Sequence, residues 1–177
     1  MYIWLGINVD EQLREVRDRA YEVNKKLEFE NFCYTLPFHI SLKMSFYVDD
    51  GKFDEVVADI ENYYATIEPF EIDIKGIENE QVIVWVRMSE SERLNKIHDD
   101  LNELLLSKYG VGLHEYDADY KFHTTLFMDG NTDKINAAFE LVKDASLPQK
   151  LVADRFLIGR SQSGRLGTYS VYKEIKR

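Results

Sequence analysis

A short pattern of histidine, any residue, a hydroxyl residue and leucine occurs twice, half the chain apart. It reads HISL at residues 39–42 and HTTL at residues 123–126. Around it, the order strand, helix, histidine strand, helix, strand runs from Tyr2 to Ile77 and again from Val82 to Gly159, and a closing strand covers residues 167–175. A duplicated order of elements predicts two like halves related by a pseudo-twofold axis.

Each copy of the pattern lies in an apolar, β-prone run that predicts a strand, the first one over about Cys33 to Val48. Side chains alternate between the two faces of a strand, so His39 and Ser41 share one face. In the second copy His123 and Thr125 share one face in the same way. The opposite faces carry the residues that we expect to be buried in the core: Phe38, Ile40 and Leu42 in the first copy, and Phe122, Thr124 and Leu126 in the second.

The predicted fold class is α+β. The chain is 177 residues long and 45% hydrophobic, which fits one bilobal domain over residues 1–177 with a sizeable core. We expect two antiparallel sheets that face a central cleft, with helices outside. Among the local expectations are a helix cap at Asp10, a capping box of Ser89 with Glu92, a C-cap at Gly110 and a single strand over Leu151 to Gly159.

Composition restricts the partners. The formal net charge is −10, which argues against an extended nucleic-acid footprint, because such binding neutralises many phosphates. A small nucleotide or an RNA end needs only a few local cations. The single cysteine, Cys33, is consistent with a reducing compartment, and the N-terminus has neither a signal peptide pattern nor a membrane span. These features predict a cytoplasmic protein without a membrane partner.

At this point the chain resembles the two-histidine phosphoesterases, which include the 2′-5′ RNA ligase-like and cyclic phosphodiesterase families. The resemblance is carried by the two His-x-Ser/Thr-Leu motifs in register with the repeat, and it covers nearly the whole chain. Two departures are small. Ser41 stands where threonine is commoner, and it keeps the hydroxyl. Thr124 replaces a usual aliphatic residue on the core face.

The resemblance implies hydrolysis or transfer of a phosphodiester, most often the opening of a 2′,3′-cyclic phosphate at a nucleotide or RNA end. His39 and His123 would divide the roles of general acid and general base. Ser41 and Thr125 would donate hydrogen bonds to the non-bridging phosphate oxygens. This chemistry requires neither a metal nor another cofactor.

Three further residues are candidates on position alone. Lys43 follows Ser41 by two residues on the same strand face, so it can offer a cation to the phosphate, or it can be a solvated lysine near a strand end. Trp4 and Trp85 occupy matching places in the two halves and point away from the helix-facing side. Both indoles are therefore expected near the cleft, where they either stack on a bound base or pack the lobes together.

Other interpretations compete with this one. His98 is expected at the surface of its helix. A run of acidic and histidine residues can ligate a metal or form a solvated loop, and the loop is favoured: His114, Glu115, Asp117, Asp119 and His123. A non-catalytic nucleotide-binding module, or a 2′-5′ RNA ligase, would carry the same motifs.

Overall fold

A computed structural model describes residues 1–30 and 34–177. The predicted start of the first histidine strand, Cys33, lies outside these residues. Eight strands and four α-helices follow one another along the described chain. They are β1 Tyr2–Asn8, α1 Arg14–Leu27, β2 His39–Tyr47, α2 Phe53–Tyr64, β3 Phe70–Asn79, β4 Ile83–Met88, α3 Glu92–Tyr109, β5 His123–Met128, α4 Thr132–Val142, β6 Lys150–Ala153, β7 Arg155–Ser161 and β8 Ser170–Lys176. None of the described helices combines the length and the apolar character that crossing a membrane requires.

The strands form two four-stranded sheets. Their orders are β2-β1-β7-β8 and β5-β4-β3-β6, and every neighbouring pair is antiparallel. Each histidine strand, β2 or β5, is therefore the edge strand of its own sheet. The predicted fold class, α+β with two antiparallel sheets, is confirmed.

The register of β3 with β6 shows how the halves are related. Glu71 pairs with Val152, and on either side of this pair Phe70 faces Ala153 and Ile72 faces Leu151. Residues 70, 71 and 72 correspond to 151, 152 and 153 in the repeat, so each half contributes the same positions to this contact. The pseudo-twofold axis thus passes between Glu71 and Val152.

The expectation of one strand over Leu151 to Gly159 is wrong. The chain forms two strands with a break at Asp154, and they belong to different sheets, because β6 pairs with β3 whereas β7 pairs with β1 and β8. At the break, the carbonyl of Asp154 accepts the backbone N–H of Arg177 at 2.8 Å. The charged residues Asp154 and Arg155 interrupt the apolar run at the break, but they do not indicate that the two strands join different sheets.

Two of the expected helix caps are also wrong. Asp10 does not cap α1; its carboxylate accepts the N–H of Phe38 at 2.9 Å and pairs with Arg17, so it joins α1 to the segment before β2. The cap of α3 is Ser91, whose hydroxyl accepts the N–H of Leu94 at 3.3 Å, and Ser89 lies outside the helix. The C-cap at Gly110 is confirmed, with the left-handed φ of 68° that glycine tolerates.

The two histidine strands lie against each other at the centre of the molecule. Their core faces are fully buried, with Ile40, Leu42 and Leu126 at 0% exposure. Thr124 is also buried, and its hydroxyl donates to the carbonyl of His39 at 3.1 Å, a direct bond between the two strands. This pairing of buried faces turns the remaining face of each strand toward a shared cavity.

Candidate functional site

A cavity of about 700 Å³ lies between the two sheets. It is lined by His39 and Ser41 of β2 and by His123 and Thr125 of β5. The structure therefore places both histidine–hydroxyl pairs in one cavity. This follows from the alternation of side chains along strands whose other faces are buried in the lobes.

Both imidazoles are held by the same local contact. Nδ1 of His39 lies 2.8 Å from the carbonyl oxygen of Pro37, and Nδ1 of His123 lies 2.5 Å from that of Lys121. A carbonyl can only accept, so Nδ1 carries the hydrogen in each ring. In the neutral imidazole the lone pair is then on Nε2, which is the nitrogen available for proton transfer.

Burial sets the protonation of both rings. It lowers the pKa of His39, against the hydrogen bond to Pro37, which raises it. Burial also lowers the pKa of His123 to about 4, with smaller contributions from the charges of Arg87 and His39. Without added anion, both imidazoles are neutral at pH 7.

Arg87 makes the two histidines electrostatically different, and the sequence reading missed it. It pairs with His123 in the β4–β5 register, and its guanidinium donates to the carbonyl of Phe122 at 2.9 Å. In the first half the corresponding position is Gly6, which has no side chain and therefore carries no charge. The repeat aligns this glycine with the arginine, but only the pairing of β4 with β5 shows that Arg87 lies beside His123.

Tyr120 is a second residue that the sequence reading missed. It lines the cavity, and burial together with the charge of Asp117 raises the pKa of its phenol, against a hydrogen bond with Ser41 that lowers it. The phenol therefore keeps its proton across the physiological range. It adds a neutral hydroxyl next to the hydroxyl of the first motif.

Both tryptophans line the cavity, and each stacks on the imidazole of its own lobe. The ring centroids of Trp4 and His39 are 4.4 Å apart, and those of Trp85 and His123 are 4.3 Å apart. The indoles are only 5% and 9% exposed. In this arrangement each indole supports an imidazole, and stacking on a bound base stays a prediction.

The indole of Trp4 lies over two glycines on its way to the His39 ring. His39 lies opposite Asn8, four residues along β1 from Trp4, so the indole must extend along the strand. A Cβ at Gly6 would lie 2.6 Å from the indole, and one at Gly159 would lie 2.1 Å from its Nε1. Glycine at both positions is what allows the indole to lie flat on the sheet.

Lys43 lines the cavity, but its ammonium group forms an ion pair with Asp117. The side chains are 2% and 1% exposed, so the alternative of a solvated lysine is wrong. Asp117 also accepts the backbone N–H of His114 at 2.6 Å. The pair fixes the loop before β5 to the middle of β2, and a phosphate at Lys43 would have to share the ammonium with Asp117.

His98 is buried, so the expectation of a surface position is wrong. It is 3% exposed, its Nδ1 donates to the carbonyl of Leu42 at 2.7 Å, and its ring stacks on Tyr120 with centroids 4.4 Å apart. The amide of Asn102 donates to Nε2 at 3.0 Å. Asn102 follows His98 by one helical turn, so the two side chains meet on one face of α3.

The acidic run before β5 is not simply a solvated loop, because the Asp117 side chain is buried. The geometry gives the alternative of a metal site in this run no support. Within residues 1–30 and 34–177, no three side chains of histidine, cysteine, aspartate or glutamate come together in a group that could hold a metal ion.

Two sheets that each present a histidine and a hydroxyl to one cavity define the class of two-histidine phosphoesterases. The chain belongs to the 2′-5′ RNA ligase superfamily, which it matches over residues 7–165. Membership of this family implies the processing of phosphodiesters at nucleotide or RNA ends. No curated protein sequence matches the chain.

Solved structures share the fold at low sequence identity. TT0787 of Thermus thermophilus is 17% identical with a TM-score of 0.63, over 99% of this chain and 97% of that one. LigT of E. coli, complexed with 3′-AMP, is 13% identical with a TM-score of 0.59, over 98% and 96%. Usb1 of Kluyveromyces marxianus is 12% identical with a TM-score of 0.51, over 99% and 98%.

The lowered pKa values can be tested directly. We expect the His123 ring to titrate near pH 4 and the His39 ring below its ordinary value of 6.5, because burial disfavours the imidazolium. A pH titration of the histidine Cε1–H signals by NMR measures both, with His39→Gln and His123→Gln to assign them. Two rings that titrate at 6.5 or above would contradict the electrostatic description.

The support of His39 by Trp4 predicts a selective effect of Gly159→Ala. The new methyl group collides with the indole, so the Cε1–H signal of His39 should shift or broaden while that of His123 stays in place. Gly51→Ala is the matched control, because a Cβ there meets nothing within 4 Å. An unchanged His39 signal in Gly159→Ala would show that the indole does not set the imidazole.

The buried ion pair predicts a large stability effect. Asp117→Asn or Lys43→Met leaves one charge buried without its partner, which should lower the free energy of unfolding by about 3–5 kcal/mol. The double change Lys43→Met/Asp117→Asn should cost less than the two single changes added together. Urea denaturation measures all three. Lys150→Met, which removes an exposed pair with Glu71, is the control and should have little effect.

Proposed function

We propose that this protein hydrolyses 2′,3′-cyclic phosphates at nucleotide or RNA ends. The observation that carries the proposal is the convergence of His39, His123, Ser41 and Thr125 on one cavity. Related folds accept nucleotides, since LigT of E. coli was solved with 3′-AMP, with NADP⁺ and with ATP. A phosphodiester seated between the two strands would meet one imidazole from each side.

In the proposed reaction a water molecule attacks the phosphorus atom of the cyclic diester. One imidazole removes a proton from the water, and the P–O bond to the 2′ or the 3′ oxygen breaks. The other ring, as imidazolium, gives its proton to that leaving oxygen. The product is a phosphate monoester beside a free hydroxyl group, and the proton lost by the acid equals the proton gained by the base.

The asymmetry at Arg87 suggests how the two roles are divided. A cation beside His123 favours the neutral ring, so His123 is suited to start as the base. For His39 the shift has no contribution from a neighbouring cation, so it is the better candidate for the acid. The negative charge of a bound phosphodiester would favour the imidazolium form that the acid needs.

The hydroxyls of Ser41 and Thr125 are proposed to donate hydrogen bonds to the non-bridging oxygens, where charge develops in the transition state. Tyr120 can extend the hydrogen bonds on the Ser41 side. This leaves Lys43 a lesser role than a free cation would have, because Asp117 already neutralises it.

The decisive experiment is turnover of adenosine 2′,3′-cyclic phosphate by the wild type and by His39→Ala and His123→Ala. Each variant should lose most activity, at least about a hundredfold, because the acid or the base is missing. Added imidazole should restore part of it. Ser41→Ala and Thr125→Val should each lower kcat on the order of a hundredfold without lowering the melting temperature. His114→Ala, outside the cavity lining, is the control.

The pH dependence in the same assay follows from the shifted pKa values. As pH rises through the lowered pKa of His39 the imidazolium acid is lost, and as pH falls toward about 4 the base His123 becomes protonated. The profile of kcat/KM should therefore be a bell with its maximum on the acidic side of 6.5, and EDTA should not change it. A flat profile, or single variants with near wild-type turnover, would end the two-histidine mechanism.

Two other outcomes separate the alternatives. Binding of the cyclic nucleotide without turnover would identify a nucleotide-binding module. Joining of an RNA end that carries a 2′,3′-cyclic phosphate to a 5′-hydroxyl end would identify ligase activity, which uses the same acid and base with a hydroxyl group in place of water.

A further inference from the structure

The cavity offers mainly apolar surface to a ligand. Besides the motif residues, its walls are built from side chains of both lobes and of the loop before β5, among them Leu36, Met44, Val82, Tyr116, Met128 and Leu166. Three of these remain open to solvent, Val82 at 47%, Tyr116 at 60% and Leu166 at 68% exposure. Large apolar side chains left exposed around one opening indicate a ligand that covers them with apolar surface of its own.

Charge in the described lining is scarce and does not favour anions. Lys43 is neutralised by Asp117, so it attracts little beyond that pair. Lys121 is the other lining lysine, and it is opposed by the carboxylates of Glu115 and Asp119 on the same loop. Arg87 lies beside His123, where the reacting phosphate would be, and does not line the outer cavity. A second phosphate in the cavity would therefore meet net negative charge.

From these two observations we propose that the substrate is a phosphodiester with a single negative charge and an apolar or aromatic substituent. The cavity then selects against molecules that carry further phosphates, through Glu115 and Asp119. This proposal rests on the proposed phosphodiesterase activity and narrows its substrate. A nucleobase and a non-nucleotide aromatic ester share this chemistry.

The first test compares adenosine 2′,3′-cyclic phosphate with the same nucleotide bearing a 5′-phosphate or a 5′-diphosphate. A 5′-phosphate adds a charge of about −1.5 to −2 at pH 7. At low ionic strength kcat/KM should fall by roughly tenfold when the 5′-phosphate is present. Raising the salt from about 10 mM to about 1 M shortens the Debye length from about 30 Å to about 3 Å, so the difference should shrink.

The direction of the salt effect is the sharpest readout. A site that attracts polyanions loses affinity as salt rises. Here kcat/KM for the 5′-phosphorylated substrates should rise with salt, because repulsion is being screened. Faster turnover of those substrates at low salt, with a decline as salt increases, would overturn the proposal.

Two double variants test which carboxylates cause the preference for singly charged substrates. Glu115→Gln/Asp119→Asn should reduce the preference for the singly charged substrate severalfold at low salt. Glu15→Gln/Glu103→Gln makes the same change in net charge on exposed helix positions outside the cavity lining and should leave the preference unchanged. Equal effects of the two double variants would mean that overall charge, and not the cavity loop, determines selectivity.

The contact between the apolar cavity walls and the substituent of the substrate is tested separately. Tyr116→Ser and Leu166→Ser should raise KM for the cyclic nucleotide severalfold with little change in kcat, because each removes apolar contact area. Bis(p-nitrophenyl) phosphate, a singly charged aromatic diester, distinguishes the two sources. If it is preferred to the cyclic nucleotides, the substituent is a non-nucleotide aromatic group. If the cyclic nucleotides are preferred, it is a nucleobase.

Failure of the proposed activity can be told apart from failure of this inference. If none of these diesters is turned over, calorimetric binding of 3′-AMP and of adenosine 3′,5′-bisphosphate at low salt still measures the charge preference. Tighter binding of 3′-AMP supports a site for one phosphate. Tighter binding of the bisphosphate overturns it, whatever the enzyme does.

Discussion

Burial of one face of each histidine strand is the constraint on which the site depends. Ile40 and Leu42 of β2 and Leu126 of β5 are withdrawn completely from solvent, and a strand that buries one set of alternate side chains must show the other set elsewhere. The bond from Thr124 to the carbonyl of His39 joins the two strands, so both remaining faces turn to the same cavity. A shift of either strand by one residue would replace its imidazole at the site with a residue of the buried face, such as Ile40 in β2 or Phe122 in β5.

The burial that positions the imidazoles also makes them weak bases as long as no anion is bound. Each Nδ1 is tied to a carbonyl, and the partly dry cavity lowers the pKa of both rings. In the proposed mechanism a bound phosphodiester would bring negative charge directly to the rings, so binding of substrate and protonation of the acid would be linked. The low pKa of the free rings and the need for a bound anion would then have one cause, the burial of the imidazoles.

Much of this was readable from the sequence, because it depends on period-two alternation and on the repeat. The fold class and the placement of His39 and His123 follow from these patterns. What could not be read depends on contacts between distant segments. Burial of His98 requires knowing that α3 packs on β2, and the ion pair of Lys43 joins a strand to a loop that follows it by more than 70 residues. The break at Asp154 arises because β6 and β7 join different sheets, and local β propensity does not indicate which sheet a strand joins.

The two halves share a plan, and in the proposed mechanism the differences between them distinguish the acid from the base. Trp85 lies two residues from the position opposite His123, whereas Trp4 lies four residues from the position opposite His39 and crosses Gly6 to reach it. The repeat places Arg87 where the first half has this glycine. The path of the Trp4 indole therefore leaves no room for a side chain at Gly6, whereas the shorter path of Trp85 leaves room for the Arg87 side chain beside His123. Two rings in identical surroundings would have no reason to hold opposite protonation states, so in the proposed mechanism the glycine that Trp4 needs and the arginine beside His123 are one and the same difference between the halves.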